Sequence, residues 1–443
     1  MSLFTEQKII WLEALLDERF GIPLKLDFNG NQLILSFQNE SGKIIFHNLN
    51  SDFHQLGASS LNCKRWSPES EGFVNILKCD LYAPGLCVQN IFKFHDDVVY
   101  CGYDILGLVF WSLNRLEEIN NPAVDEHKRF TYNQSHACKY DYIEYPIVDQ
   151  WLDVLKQTIN KINKKIFLKN KVYKPYITHD IDRPARYYFS NNKNFLRSVF
   201  IDFIRERKIS NFINSFSKFF SKKIPISDPY NTFDWLMDIS DKYGLKSNFY
   251  FICGGNSKYD GNYNIASIEM RDIVNNILNR NHFVGLHPSY SCYLDSSQIF
   301  KEVTELKKVL PCNLKYIGGR MHYLRFKYPE TLNNLVEAGI DYDSTLGYAE
   351  QIGFRCGTSH SYYPFDPLKN ETIGIRVFPL IVMDGTLTTY MNMRLADEST
   401  FYKVKTLIER CRETEGNFVL LWHNSELKNE VQKNFYEKVV SAL

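Results

Sequence analysis

Apolar residues near the start of the chain recur at helical spacing. Ile9, Ile10, Leu12, Leu15 and Leu16 alternate with charges and predict an amphipathic helix over residues 3–19. QLILSF and KIIFHNL, on either side of QNESG, predict a strand pair. FVNILKCDLYA, FKFHDDVVYCGYD and the helix-like ILGLVFWSLNRLEEI follow, and WLDVLKQTINKINKKIF closes the series as a helix. Residues 1–170 therefore read as a smaller mixed α/β domain, with LKNKVYK as the linker leaving it.

The rhythm changes at Val172. Short apolar runs now alternate with helical stretches: PYITHDID, NTFDWLMDISDKYG, SNFYFIC, SIEMRDIVNNILNR, HFVGLHP. The pattern goes on through SQIFKEVTELKKVL, LKYIGGR, PETLNNLVEAG, IDYDS and GNFVLLWHN, with a terminal helix. Strands separated by helices of about 10–15 residues predict βα units around a parallel sheet or barrel over residues 171–443. In such folds the chemistry gathers at the C-terminal ends of the strands. One stretch departs from the pattern. Residues 193–223 carry eight Lys or Arg against two acids, interleaved with seven Phe. It reads as a helical insertion packing its Phe face on the body, or as a basic amphipathic helix in peripheral contact with an anionic membrane.

Length and charge narrow the picture. A chain of 443 residues is long for one ordinary domain and suits two. The net charge of +1 excludes a global basic field for nucleic acid. Aromatics at 15% suit a bulky core and also a sugar-binding surface. Glu6, Glu13, Asp17 and Glu18 interrupt the apolar positions near the start, which is not how a secretory signal reads. No run of about 18 uncharged apolar residues predicts a membrane span. The ten cysteines form no CxxC pair, so a zinc ribbon is excluded; they read as reduced thiols in a cytoplasmic protein.

Four strand ends carry candidate chemistry. In Thr178-His179-Asp180-Ile181-Asp182-Arg183, alternation along a strand puts Asp180 and Asp182 on one side and His179 on the other. Two such carboxylates suit a metal ligand and a general base; an Asp capping the next helix is the plainer alternative. HFVGLHP ends in His287, whose neutral imidazole suits Zn²⁺ or Fe²⁺, or a structural hydrogen bond. Gly318-Gly319-Arg320-Met321-His322-Tyr323 offers Arg320 for a bidentate hold on a carboxylate. The last strand ends at His423, placed for general acid work or for capping the terminal helix. Asp343, within IDYDS, and Tyr348 and Arg355 in the loop that follows bind substrate, support the catalytic groups or order the loop. Asn114-Arg115-Leu116-Glu117-Glu118 and Asp125–Arg129 are charge clusters that read as pins between the two parts, or as helix caps.

These strand ends, taken in order, resemble the polysaccharide deacetylases with a NodB homology domain, carbohydrate esterase family four. The family's Thr-Phe-Asp-Asp-Gly appears as Thr178-His179-Asp180-Ile181-Asp182. Its pair of histidines four residues apart is matched by His287 but has Ser291 at the second position. Its Arg-Pro-Pro-Tyr appears as Arg320-Met321-His322-Tyr323, and its Leu-x-x-His as Leu420-Leu421-Trp422-His423. The resemblance covers about residues 172–443 and implies a distorted (β/α) barrel. It implies a metal-dependent hydrolase that removes an N-acetyl group from an amino sugar or glycan. Asp180 is then the base, Asp182 and His287 ligands of a divalent metal, zinc by preference, and His423 the acid. Arg320 holds Asp180, and backbone N–H groups near Tyr323 support the oxyanion. Because Ser291 replaces a family ligand, the third ligand stays open between His322, Ser291, Tyr290 and none. Missing an export signal, the chain fits polysaccharide biosynthesis better than wall remodelling. Two other readings compete: a metal-independent amide hydrolase on the same fold, and a non-catalytic module that binds glycans or partners.

Overall fold

The computed structural model describes residues 2–37, 41–57, 59–164, 168–189, 224–261, 263–312 and 316–443. The basic Phe-rich segment 193–223 lies outside the described residues. The opening helix runs Glu6–Phe20. Thr5 accepts the Lys8 N–H to start it, and Gly21, at φ 73°, ends it in the left-handed conformation that glycine adopts without strain.

Seven strands follow: β1 (Leu24–Phe28), β2 (Leu33–Phe37), β3 (Lys43–Phe46), β4 (Cys63–Trp66), β5 (Leu81–Pro84), β6 (Phe92–His95) and β7 (Val98–Cys101). The expected strand pair is β2 and β3, antiparallel. They sit in a five-stranded sheet of order β1-β2-β3-β7-β6, and β4 pairs with β5 apart from it. The helix Ile105–Leu113 is buried along its whole length. An element that is apolar all round must be covered on every side. The helix Ile147–Ile162 covers it, with Trp151 stacked on Trp66 at 5.0 Å. The other side of the buried helix meets the second half of the chain. Ser112 Oγ donates to the Cys356 carbonyl at 3.0 Å, and Tyr362 Oη to the Leu113 carbonyl at 2.7 Å.

The second half supplies β8 (Lys174–Ile181), β9 (Ser247–Phe251), β10 (Phe283–Leu286), β11 (Gly318–Gly319) and β12 (Tyr342–Asp343). Then come β13 (Phe365–Asp366), β14 (Glu371–Thr372), β15 (Arg376–Val377), β16 (Val382–Met383) and β17 (Asn417–Leu421). Eight of them form one sheet of order β15-β12-β11-β10-β9-β8-β17-β16. Every pairing in it is parallel. Parallel strands are covered on both faces, which is why β17 reads as an unbroken buried run. The edge strands β15 and β16 do not pair with each other, so the barrel is open between them. The helices Phe233–Lys242, Ile268–Asn279, Ser296–Lys307, Glu330–Glu337, Glu398–Glu413 and Glu430–Ser441 punctuate the strands as the pattern predicts. Of LKYIGGR, expected as a full strand, the described residues pair at Gly318 and Gly319. A Cβ on Gly318 would lie 1.7 Å from the Tyr342 ring, so the close approach of β11 and β12 requires glycine. None of the ten cysteines is paired with another, and no helix among the described residues is long and apolar enough to cross a membrane.

Candidate active site

The C-terminal ends of β8, β10, β11 and β17 converge on one polar centre. Asp180 and Asp182 do face one side of β8. His179 points to the other, buried against Phe249 and Tyr436, with its ring nitrogens bonded to the Trp422 carbonyl and Ser247 Oγ.

His287 follows β10 directly. Its Nδ1–H donates to the Arg320 carbonyl at 2.6 Å, which leaves the Nε2 lone pair aimed inward. His322 Nδ1 is hydrogen-bonded to Asp260 Oδ1 at 3.2 Å, and its Nε2 points at the same space. Asp182 Oδ1 stands 3.3 Å from His287 Nε2 and 3.6 Å from His322 Nε2. The three ligand atoms lie within 4.8 Å of one another. All three are shielded from solvent and none has a hydrogen-bond partner. A buried polar atom without a partner is costly, so three facing one another mark a candidate coordination site. Two imidazole nitrogens and a carboxylate oxygen are the donor set of an open catalytic metal site, and the Asp260–His322 bond is the usual outer support for a ligating histidine. The residues present fit a divalent cation. The third member of the candidate triad is His322. Ser291 is exposed, and Tyr290 gives its hydroxyl to His127 Nδ1 at 2.9 Å.

The electrostatics agree. Burial alone would raise the Asp182 carboxyl, but His322, His287 and His423 outweigh it and hold it well below the usual range. Burial would lower His322, but Asp182 and Asp260 raise it to about 9. That imidazole keeps a proton between two carboxylates where a cation would bind instead.

Asp180 is fixed behind the triad. Arg320 Nη1 donates to Asp180 Oδ1 at 2.9 Å and to Thr178 Oγ1 at 2.8 Å. The hold is a single N–H and not the bidentate fork expected, because Ser344 takes Nε through its carbonyl and Nη2 through its hydroxyl. Asp180 Oδ2 is left facing His287 Nε2 at 3.7 Å. His423 lies across the centre, its Nε2 3.9 Å from Asp182 Oδ2. Its Nδ1 bonds Asp384 Oδ1 at 2.8 Å, and its backbone N–H donates to Asp384 Oδ2 at 2.8 Å. Burial would lower this imidazole, but Asp384, with Asp182 and Asp180, raises it to about 10. Asp384 and Asp260 escaped the sequence reading. Asp384 ends the apolar run Phe378-Pro-Leu-Ile-Val-Met and obeys the same strand-end rule; Asp260 sits in a loop with no periodic signal.

The family model DUF7033, described as a family of unknown function, matches residues 4–164. No curated protein matches the chain. Among solved structures, a candidate polysaccharide deacetylase from Mycobacterium smegmatis aligns at 13% identity and a TM-score of 0.40, covering 62% of this chain and 84% of that one.

The remaining expected site residues fall in two places. Tyr323 lies at the rim, its ring 4.9 Å from that of His322. Asp343, Tyr348 and Arg355 are buried and share no hydrogen bond with the triad among the described residues. Asp343 accepts from Thr345 N–H at 2.9 Å and Oγ1 at 2.5 Å, and Thr345 Oγ1 in turn accepts the Met321 N–H. Burial raises its carboxyl to about 6. Its part is to brace the Arg320–His322 segment. Arg355 donates to Glu118 and to the Gly347 carbonyl, and Tyr348 Oη accepts from Arg115 Nη2 at 3.4 Å. Arg355 therefore joins the Arg115 cluster, which does pin the two halves together.

Proposed function

We propose that the protein is a metal-dependent hydrolase that removes an N-acetyl group from an amino sugar during polysaccharide assembly, with zinc as the fitting ion. The carrying observation is the convergence of three orphaned, shielded donor atoms on Asp182, His287 and His322 beside a locked Asp180 and the Asp384–His423 pair. A divalent cation at that point would supply Lewis acidity toward an acyl carbonyl. The chain's own residues do the rest. Asp180, turned by Arg320 so that Oδ2 faces the centre, takes a proton from the attacking water. His423 carries a proton on Nε2 because Asp384 holds Nδ1–H, and it gives that proton to the departing amine. The Asp182 side chain is 31% exposed although its Oδ1 is shielded, so the centre opens to solvent on the side where substrate enters. Ser291 in place of the family histidine is the motive for a metal-free reading, and His322 weakens that motive by offering a third donor. The test is acetate release from N-acetylated sugars by the protein reconstituted with Zn²⁺, with and without exhaustive chelation. Release that survives chelation undiminished sinks the metal-dependent reading.

A further inference from the structure

The loop Asp125–Arg129 belongs to the first half of the chain, yet it closes on the rim of the centre. It is tied to itself: Asp125 Oδ1 accepts the backbone N–H of His127 and of Arg129, both at 2.9 Å, and Oδ2 accepts Arg129 Nε at 2.7 Å. Asp125 Oδ2 also pairs with Arg129 Nη2 at 2.6 Å, so Nη1 and the second hydrogen of Nη2 are what reach beyond the knot into the barrel. Arg129 Nη1 donates to the Tyr323 carbonyl at 3.0 Å. Arg129 Nη2 donates to Tyr390 Oη at 3.1 Å.

The two acceptors belong to different barrel loops. Tyr323 follows His322, and its backbone is strained: Tyr323 at φ 62° and Leu324 at φ 53° are consecutive non-glycine residues in the left-handed region. Such a conformation persists only where neighbours over-determine it. Tyr390 ends the turn Thr386–Tyr390 that follows Asp384, and Thr388 Oγ1 donates to the Asp384 carbonyl at 3.0 Å. One guanidinium thus bridges the loop that carries a triad donor and the loop that carries the partner of His423. The grip is returned, since Arg325 Nε donates to the His127 carbonyl at 2.9 Å and the Arg325 guanidinium also bonds the Tyr290 carbonyl. His127 then packs at 4.7 Å on Tyr323 and at 5.5 Å on Tyr259.

We propose that Arg129 is a positioning residue of the active centre, which locks the His322–Tyr323 turn to the Asp384–Tyr390 turn, so that the region matched by the family of unknown function completes the site. The coupling of the two loops stands on geometry alone; its consequence for metal binding rests on the hydrolase reading. A planar fork reaches both acceptors at once and an ammonium group reaches one, so Lys should rescue only in part.

The experiment is hydrogen exchange on the full-length, metal-free protein, comparing wild type, R129M, R129K and R19M. Arg19 bonds Asp149 and Thr358 elsewhere in the contact between the halves, and R19M controls for general loosening of it. In R129M, amides of residues 321–325 and 384–391 should both exchange at least about tenfold faster, with smaller changes in R129K and none there in R19M. A Zn²⁺ titration against a competing chelator should show R129M binding about 10–100-fold more weakly, as when an outer support of a ligand is lost. The Co²⁺-loaded variant should show a shifted visible spectrum. Unchanged exchange in either loop overturns the proposal, as does loosening of both loops with unaltered metal affinity and spectrum. If R129M does not fold, R129K decides by the same readouts. A wild type that binds no metal sinks the hydrolase reading, and the exchange of the two loops then decides the lock by itself.

Discussion

Two of the buried charge clusters among the described residues differ in one respect. In the contact between the halves, Arg115 donates to Glu117 and Glu118, each at 2.8 Å, and to the Ser112 carbonyl at 3.1 Å. Arg355 holds Glu118 by Nε at 3.0 Å and by Nη2 at 2.7 Å, and the second Glu117 oxygen takes the His136 N–H. None of these side chains has an unpartnered buried atom. At the barrel mouth, Asp182, His287 and His322 are as densely charged, but three donor atoms face one another unmet. Burial of charge is common to both. Unmet bonding capacity separates the candidate centre from the brace.

Substitutions should therefore divide cleanly. The largest effect is expected at Asp180. D180N keeps the shape and removes the base, and acetate release should fall by about 10²–10⁴-fold with Zn²⁺ content unchanged. Unaltered turnover would remove Asp180 from the chemistry. The next effect belongs to the brace. R355M leaves Glu118 buried with fewer partners, and breaking a buried pair from one side costs about 3–5 kcal/mol. Denaturant unfolding should show that loss, while the metal stoichiometry of the folded fraction stays at the wild-type value. Loss of metal in R355M at native stability would erase the distinction between the clusters.

The contrast also explains what the sequence could disclose. Asp180, Asp182, His287, Arg320 and His423 end strands whose apolar periodicity is plain, and the position of a strand end follows from local pattern. Arg355 and Tyr348 looked like the same kind of residue because the sequence records their chemistry and not their partners. Their fate depends on Glu118 and Arg115, more than 200 residues earlier, and no periodicity connects such positions. Asp384 was legible in principle, since it closes an apolar run. Asp260 was not, because its role arises only when a loop folds back on His322. The five-stranded sheet was legible as pairs of runs; the parallel joining of β3 and β7 was not, because register across a crossover leaves no local trace.

A smaller effect tests the outer support of the centre. Asp260 Oδ1 accepts from His322 Nδ1 and, at 2.7 Å, from the Tyr290 N–H, while Oδ2 accepts the Ser257 N–H at 3.0 Å. D260N is nearly isosteric but no longer offers two equivalent acceptors. Zn²⁺ affinity should drop by about 10–100-fold in a chelator competition titration. Undiminished affinity would mean that His322 is oriented by the Tyr323 turn alone.

The smallest effect separates the clusters by proton uptake. His360 lies in a further buried group beside Arg19 and Asp149, with Nε2–H donated to the Thr414 carbonyl at 2.8 Å. Burial first, then the charge of Arg19, lowers it from 6.5 to about 4. The unfolded chain binds that proton below pH 6.5 and the folded protein does not. Its stability contribution is complete above pH 6.5 and is lost as pH falls toward 4, at up to about 1.4 kcal/mol per pH unit. His322 and His423 run the other way in metal-free protein, being raised to about 9 and about 10. Their contribution is complete below pH 6.5 and fades as pH rises through those values. Unfolding free energies of metal-free H360Q between pH 6.5 and 4.5 should therefore fall less steeply than those of wild type, by up to about 1.4 kcal/mol per pH unit. Above pH 8 the two slopes should coincide, because His360 is then neutral in the folded and the unfolded chain alike; a difference that persists in alkali would mean that His360 and the centre are not independent.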